Sequence, residues 1–157
     1  MFYHRGIAYD RDMQWEKAEN DFEQALKLAP NQPLVLNYLG YSWADRGHNL
    51  ERAKEMIERA VQRRPNDGAI TDSLGWVLFR MGRTTEAVKV LERAVELEPD
   101  DPTVNAHLGD VYWAVGRRIE AQYQWRRALT LNPPAEDVAK LEAKLKSGST
   151  DPVVGRQ

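Results

Sequence analysis

Apolar residues recur at helical spacing along most of the chain. The clearest example is a pair of apolar stripes separated by a short polar break: Leu74, Val77, Leu78 and Met81, then Ala87, Val88, Leu91, Ala94 and Val95. Steps of three and four residues place such side chains on one face of an α-helix. The pattern predicts helices at about 2–12, 15–29, 33–46, 50–63, 68–81, 84–97, 102–115 and 118–131, with a ninth at 136–146.

Small residues and prolines divide this pattern into four units of 34 or 35 residues. Each unit has a glycine, two alanines seven residues apart and a closing proline: Gly6, Gly40, Gly75, Gly109; Ala18, Ala53, Ala87, Ala121; Ala25, Ala60, Ala94, Ala128; Pro30, Pro65, Pro99, Pro133. Small residues let paired helices approach closely, and a proline stops the second helix. We therefore expect four helical hairpins, at about 1–31, 32–66, 67–100 and 101–133.

The turns inside the hairpins have their own signals. Gly47, Gly82 and Gly116 follow the first helix of units two to four, where a left-handed residue commonly ends a helix. Met13 stands there in unit one, so that turn is expected to be less favourable. The second unit has one extra residue near Asn49.

The C-terminal part departs from the hairpin pattern. Residues 134–146 predict a helix with Val138, Leu141 and Leu145 on one side and a Lys-rich polar side facing water. Such a helix caps the last hairpin, which completes a domain of residues 1–146. Residues 147–157 are expected to be a flexible tail.

The period and its punctuation resemble the tetratricopeptide repeat (TPR) family over residues 1–133. The large residues also match: Tyr9, Trp43, Leu78 and Tyr112 in the first helices, and Phe22, Ile57, Leu91 and Trp125 in the second. The resemblance implies an all-α, right-handed superhelical solenoid that binds a protein or peptide in its concave groove. Strings such as PLVLNYLGYSWADRG are also similar to the last repeats of proteobacterial TPR lipoproteins, some of which are adaptors for processing proteases.

The resemblance implies that the groove is lined by first-helix positions 3 before and 1, 4 and 5 after each glycine. Apart from three alanines, these positions give the candidate partner-binding residues Tyr3, Ile7, Asp10, Arg11, Asn37, Tyr41, Asp45, Asp72, Trp76, Phe79, Arg80, Asp110 and Trp113. Exposed aromatic clusters are typical of interaction sites, although Phe79 and Trp113 can instead fill gaps between hairpins. The groove is mildly acidic, and only Asn37 suits a carboxylate clamp. We therefore expect an apolar ligand that carries a basic residue.

Composition and motifs exclude several other functions. The net charge of -2 does not favour nucleic acid, and the arginines 117, 118, 126 and 127 are interpreted as a solvated outer face. The chain has no cysteine, and its histidines, His4, His48 and His107, lie in different units, so no metal or cofactor is expected. There is no phosphate loop, nucleophile elbow or long apolar run, so neither an enzyme nor direct membrane insertion is expected.

Two functional hypotheses follow. The first is a non-enzymatic interaction scaffold, including the adaptor role that the narrower resemblance implies. The second is a self-assembling module that forms homo-oligomers through its uncapped N-terminal hairpin. Because the chain begins inside a helical pattern, we expect an upstream part. The compartment stays open between cytoplasm and periplasm, including a lipoprotein-anchored form.

Overall fold

The computed structural model describes residues 1–150, which form a stack of helical hairpins. Within these residues there are nine helices: α1 (Phe2–Arg11), α2 (Trp15–Leu28), α3 (Pro33–Arg46), α4 (Leu50–Arg63), α5 (Gly68–Arg80), α6 (Thr84–Leu97), α7 (Pro102–Ala114), α8 (Arg118–Thr130) and α9 (Ala135–Thr150). Helices α1 to α8 pack in consecutive pairs, and α9 packs on α8. The predicted hairpins are confirmed, and the ends of α1 to α8 differ from the prediction by at most one residue.

The four repeating glycines lie where the two helices of a hairpin cross. A Cβ atom on these glycines would stand only 2.5 to 2.7 Å from a side chain of the second helix: Phe22 for Gly6, Ile57 for Gly40, Leu91 for Gly75 and Trp125 for Gly109. Alanines of the second helix are fully buried in the same region: Ala18, Ala53, Ala87 and Ala121. The crossing therefore requires small residues, as the repeat pattern predicts.

Side-chain caps set the first residue of the later first helices. The Asp67 carboxylate accepts a hydrogen bond from the Ile70 N–H, and the Asp101 carboxylate accepts one from the Val104 N–H, both at 3.1 Å. The Gln32 side chain accepts in the same way at the start of α3. These bonds satisfy N–H groups that have no partner inside the helix.

The turns inside the hairpins share one backbone conformation. The φ angles are 68° at Gly47, 82° at Gly82, 85° at Gly116 and 60° at Met13. In unit one, the N–H of Met13 donates to the Asp10 carbonyl, and the next N–H donates to the Tyr9 carbonyl. The same pair of bonds closes the glycine turns, so Met13 adopts the left-handed conformation without glycine's freedom. The extra residue of unit two, Asn49, also has a positive φ, 50°.

Helix α9 is longer than the sequence pattern predicts. It continues to Thr150, so residues 147–150 are helical, whereas we expected the tail to begin at 147. In this added turn, a Cβ on Gly148 would stand 3.0 Å from the Trp113 ring. The absence of a side chain lets this turn lie against Trp113. The rest of the expected tail, 151–157, lies outside the described residues.

We expect Met13→Gly to stabilise the protein by about 0.5–1 kcal/mol, because a left-handed conformation strains every residue with a Cβ but not glycine. The Met13 side chain is 91% exposed, so its removal costs little packing. Chemical denaturation measures the change. Met13→Ala is the control, because it removes the side chain but keeps the strain. An equal gain from alanine would contradict the explanation.

Candidate partner-binding groove

The structure distributes the predicted groove residues unequally between surface and interior. Arg11, Asp45 and Arg80 are exposed, and Asp72 and Trp76 are buried. The others are partly buried: Tyr3, Ile7, Asp10, Asn37, Tyr41, Phe79, Asp110 and Trp113.

Two adjoining cavities form the centre of the concave face. The first, of about 560 Å³, is lined from α1, α3, α5 and the start of α7, and includes Asp10, Asn37 and Asp72. The second, of about 400 Å³, lies between α3, α5, α7 and α9. Tyr41 and Asp45 line both cavities. The first and second groove cavities thus form one continuous surface around these two residues.

Several predicted residues lie away from this centre. Tyr3 lies beside a cavity on the N-terminal hairpin, and Ile7 packs against the core. Arg80 donates a hydrogen bond from Nε to the Ala44 carbonyl at 3.1 Å. Phe79 and Trp113 line a third cavity, of about 410 Å³, with Trp125 and α9.

A buried polar cluster links three first helices under the groove. Nδ1 of His107, on α7, lies 2.9 Å from both carboxylate oxygens of Asp72, on α5. The Trp76 ring stacks on the His107 ring with 4.0 Å between centroids and 18° between planes. The Tyr41 hydroxyl, on α3, lies 3.5 Å from the other ring nitrogen. We call these four residues the His107 cluster.

Trp76 lines the second groove cavity, but little of its side chain is exposed there. It is only 9% exposed, because its ring covers His107 and its Nε1 donates a hydrogen bond to Asp45 at 3.3 Å. The partner, His107, lies two residues before Gly109, at a position that the groove offsets leave out. Trp76 therefore contributes mainly to packing between hairpins.

The electrostatics of the cluster favour a protonated His107. Burial lowers the pKa of His107, but the charge and hydrogen bond of Asp72 raise it, helped by Asp110 and Asp45, and the net shift is upward. Burial also raises the pKa of the Tyr41 hydroxyl, and nearby carboxylates, first Asp45 and then Asp72, add to that effect. Negative potential therefore converges at the centre of the groove.

Helix α9 forms one wall of the second groove cavity. Nζ of Lys144 lies 2.8 Å from Oδ1 of Asp110, and Trp125 Nε1 donates to the same oxygen at 3.0 Å. Lys140 and Asp137 also line the cavity. We expected the lysines of this helix to face water on the outer side, and for Lys144 the structure corrects that expectation.

The repeat itself contains the signal for these lysines. Residue 143, which is 34 residues after Gly109, is an alanine, and so the fifth glycine position goes unrecognised. Lys140 lies three residues before it and Lys144 one residue after it. These are the offsets that define the groove on the other first helices.

Three of the predicted groove carboxylates have salt-bridge partners inside the protein. Asp10 accepts from the Tyr38 hydroxyl at 2.8 Å and forms a salt bridge with Arg46 at 3.1 Å. Asp72 pairs with His107, and Asp110 forms a salt bridge with Lys144. Asp45 is exposed, and no salt bridge to it occurs within residues 1–150; its partner is Trp76 Nε1. A basic side chain of another molecule could therefore form a salt bridge with the Asp45 carboxylate.

Two other properties bear on function. No group of three or more His, Asp or Glu side chains within the described part of the chain is arranged to hold a metal ion. None of the helices described here is long and apolar enough to cross a membrane.

These paired helices with a concave face define a helical-repeat solenoid of the kind that joins proteins. A tetratricopeptide repeat model matches residues 3–67, and a second TPR repeat model matches residues 75–116. The chain belongs to the tetratricopeptide repeat family, and its class is a protein–protein interaction scaffold.

Similar proteins support the same fold. The TPR repeat-containing protein PA4667 of Pseudomonas aeruginosa is 34% identical over 87 residues, which are 55% of this chain and 15% of that protein. The chain thus matches only a small part of that relative. Among solved structures, MamA AMB-1 is 25% identical with a TM-score of 0.67, and the match covers 83% of this chain and 76% of that one. PilF of Pseudomonas aeruginosa is 17% identical with a TM-score of 0.73, covering 98% and 70%.

We expect stability to fall as the pH rises through the folded pKa of His107. The folded pKa is above the unfolded value of 6.5, so the stabilisation is complete below the unfolded pKa and is lost above the folded one. Asp72→Asn should flatten this dependence and lower the free energy of unfolding near pH 6 by about 1.5–3 kcal/mol, as for a hydrogen bond to a charged group. Urea unfolding at several pH values measures both effects.

The matched control is His48→Gln, which removes an exposed histidine and should leave the pH dependence unchanged. An unaltered pH dependence in Asp72→Asn would assign the effect to groups other than the His107 cluster.

Proposed function

We propose that the groove binds a segment of a partner protein, with a basic side chain against Asp45 and an apolar side chain beside Tyr41. The observation that supports this most strongly is the state of Asp45. Its carboxylate is exposed at the centre of the groove and has no salt bridge within residues 1–150, whereas Asp10, Asp72 and Asp110 pair with Arg46, His107 and Lys144. A lysine or arginine of a partner would supply the missing charge.

The shape of the concave face supports an elongated ligand. Tyr41 and Asp45 line both groove cavities, so a ligand that contacts them can extend into either one. Lys140 stands on the far wall of the second cavity, where it favours an acidic or polar residue. The ligand in this proposal therefore has a basic residue at its centre and an acidic or polar residue towards α9.

The broader role in this proposal is that of an adaptor. A scaffold that holds one partner in its groove can present it to a second component, such as a protease or an envelope complex. The resemblance to the last repeats of TPR lipoprotein adaptors and the shape of the groove support this role.

Self-assembly through the N-terminal hairpin is the second candidate. Met1 and Leu28 are 87% and 76% exposed beside an apolar cavity of about 230 Å³. Arg5 of the first hairpin occupies the position that Leu39 occupies in the second, one residue before the repeating glycine. Arg5 forms a salt bridge with the buried Asp21 at 2.7 Å. That pair makes part of the outer face polar and counts against this candidate.

We expect Asp45→Lys to weaken groove binding at least tenfold, because it replaces the attraction for a basic residue with repulsion. The ligands would be peptides selected from a random 12-residue display library against the full chain. We expect these peptides to be enriched in Lys or Arg next to apolar residues. Fluorescence anisotropy then compares their affinities for the wild type and the variant.

Glu55→Lys is the matched control, since it makes the same charge change at an exposed position of α4. It should leave the affinities within about twofold, as expected for a distant surface charge. Peptides that lack basic residues, or that bind Asp45→Lys as tightly as the wild type, would refute the groove assignment.

If the N-terminal hairpin mediates self-assembly, Leu28→Glu should shift the chain from oligomer to monomer, because it places a charge in the apolar contact. Sedimentation velocity over a range of concentrations measures this. A wild-type chain that stays monomeric at the highest concentration would eliminate the candidate.

A further inference from the structure

The outer face of α8 differs from the equivalent faces of the other second helices. Three positions one helical turn apart can be aligned through the hairpin glycines, with the extra residue of unit two taken into account. They hold Glu16, Asn20 and Glu23 in α2; Glu51, Glu55 and Glu58 in α4; Thr85, Lys89 and Glu92 in α6; and Ile119, Tyr123 and Arg126 in α8. The first three helices are polar at these positions, and α8 has two large apolar residues there.

These apolar residues are not part of the core. Ile119 is 81% exposed and Tyr123 is 62% exposed. The buried side of the same helix is formed by Ala121, Trp125 and Ala128. Because Ile119 and Tyr123 are four residues apart, their side chains are neighbours on the helix surface.

Arginines surround this apolar pair. Arg126 is exposed and lies three residues after Tyr123 on the same stripe. Arg117 forms a salt bridge with Glu120 at 2.6 Å, and Arg127 forms one with Asp100 at 3.1 Å. Both bridges are exposed, and such bridges stabilise a fold by only about 0–1 kcal/mol. Arg127 can therefore turn to another carboxylate at low energetic cost, whereas Arg117 also lies over the Tyr112 ring, 4.3 Å from its centroid.

We propose that this α8 surface, which consists of Ile119, Tyr123 and Arg126, docks an acidic amphipathic helix of a partner protein. The apolar side of that helix would cover Ile119 and Tyr123, and its carboxylates would lie against Arg126 and the adjacent arginines. A straight stripe along one helix matches the side of a second helix packed alongside. Charge complementarity selects the acidic sequence.

A second copy of this chain fits the surface less well. Two α8 surfaces placed together would bring arginines against arginines. The equivalent faces of α2 and α4 are acidic but have no apolar residue to cover Ile119. An α8–α8 contact therefore lacks complementary charge, and a contact of α8 with α2 or α4 lacks apolar residues opposite Ile119.

The α8 surface is separate from the groove. The residues that line the two groove cavities come from α1, α3, α5, α7, α9 and the loops beside them. Occupation of the α8 surface therefore does not require the groove, and the scaffold can hold two partners at once.

The test uses a defined probe and the full chain. The probe is a 16-residue peptide with leucines at positions i, i+4, i+7 and i+11 and glutamates on the flanking positions. A permuted peptide of the same composition distributes the leucines around the helix. We expect the first peptide to give saturable amide shifts at Ile119, Tyr123 and Arg126 in nitrogen-15 NMR spectra. The permuted peptide should bind at least tenfold more weakly.

The decisive variant combines Ile119→Glu and Tyr123→Glu. It installs the residues that α4 carries at these positions, Glu51 and Glu55, so the fold should accept it. We expect it to weaken binding at least tenfold. The control, Thr85→Glu with Lys89→Glu, places two glutamates at the equivalent positions of α6. It adds one more negative charge than the α8 variant and should still bind normally. Asp45→Lys should also bind normally, which separates this test from that of the groove.

Three outcomes would overturn the proposal. One is equal binding of the ordered and permuted peptides, which would indicate attraction by charge alone. Another is the absence of saturable binding to the wild type. The third is a concentration-dependent dimer that the double α8 variant abolishes, because it would assign the surface to a second copy.

Discussion

The close crossing of the two helices in each hairpin determines the rest of this structure. At Gly75, a Cβ would stand 2.5 Å from the Leu91 side chain, so any larger residue would push the helices apart. Trp76 is the next residue, and its ring stacks on His107 of the following hairpin. A shift at the crossing would therefore move the contact between hairpins. The groove has its shape because four such crossings fix four first helices in a common register.

The buried ion pair under the groove orients side chains as well as contributing to stability. Desolvation offsets part of the attraction in any buried pair, so the pair's contribution to stability does not by itself explain its presence. Leu141 of α9 occupies the register position of His107 and is also buried, which shows that the stack accepts an apolar residue there. A leucine, however, cannot form a hydrogen bond with the Asp72 carboxylate or with the Tyr41 hydroxyl. His107 thus fixes the groove surface around Tyr41.

The fold could be predicted from the sequence because its signals are local and occur four times. Helix starts and turns depend on residues a few positions apart, such as Asp67 with Ile70 or Gly47 with Ala44. The groove could be predicted only in outline. The burial of Trp76 depends on a histidine 31 residues away, and the orientation of Lys144 depends on Asp110, 34 residues away. Position 143 is an alanine instead of the repeating glycine, so the sequence pattern does not reveal that α9 continues the spacing of the first helices.

In the proposed function, the charge distribution of the molecule would let one scaffold distinguish two partners. Inside the groove, Asp10, Asp72 and Asp110 pair with Arg46, His107 and Lys144, whereas no salt bridge to Asp45 occurs within residues 1–150. On the outer face of α8, arginines exceed the acids that pair with them, and the apolar pair lies among them. A segment with a central basic residue is attracted to the first surface and repelled by the second, and an acidic helix behaves in the opposite way. Opposite charge on separate faces would keep the two proposed classes of ligand from competing for one site.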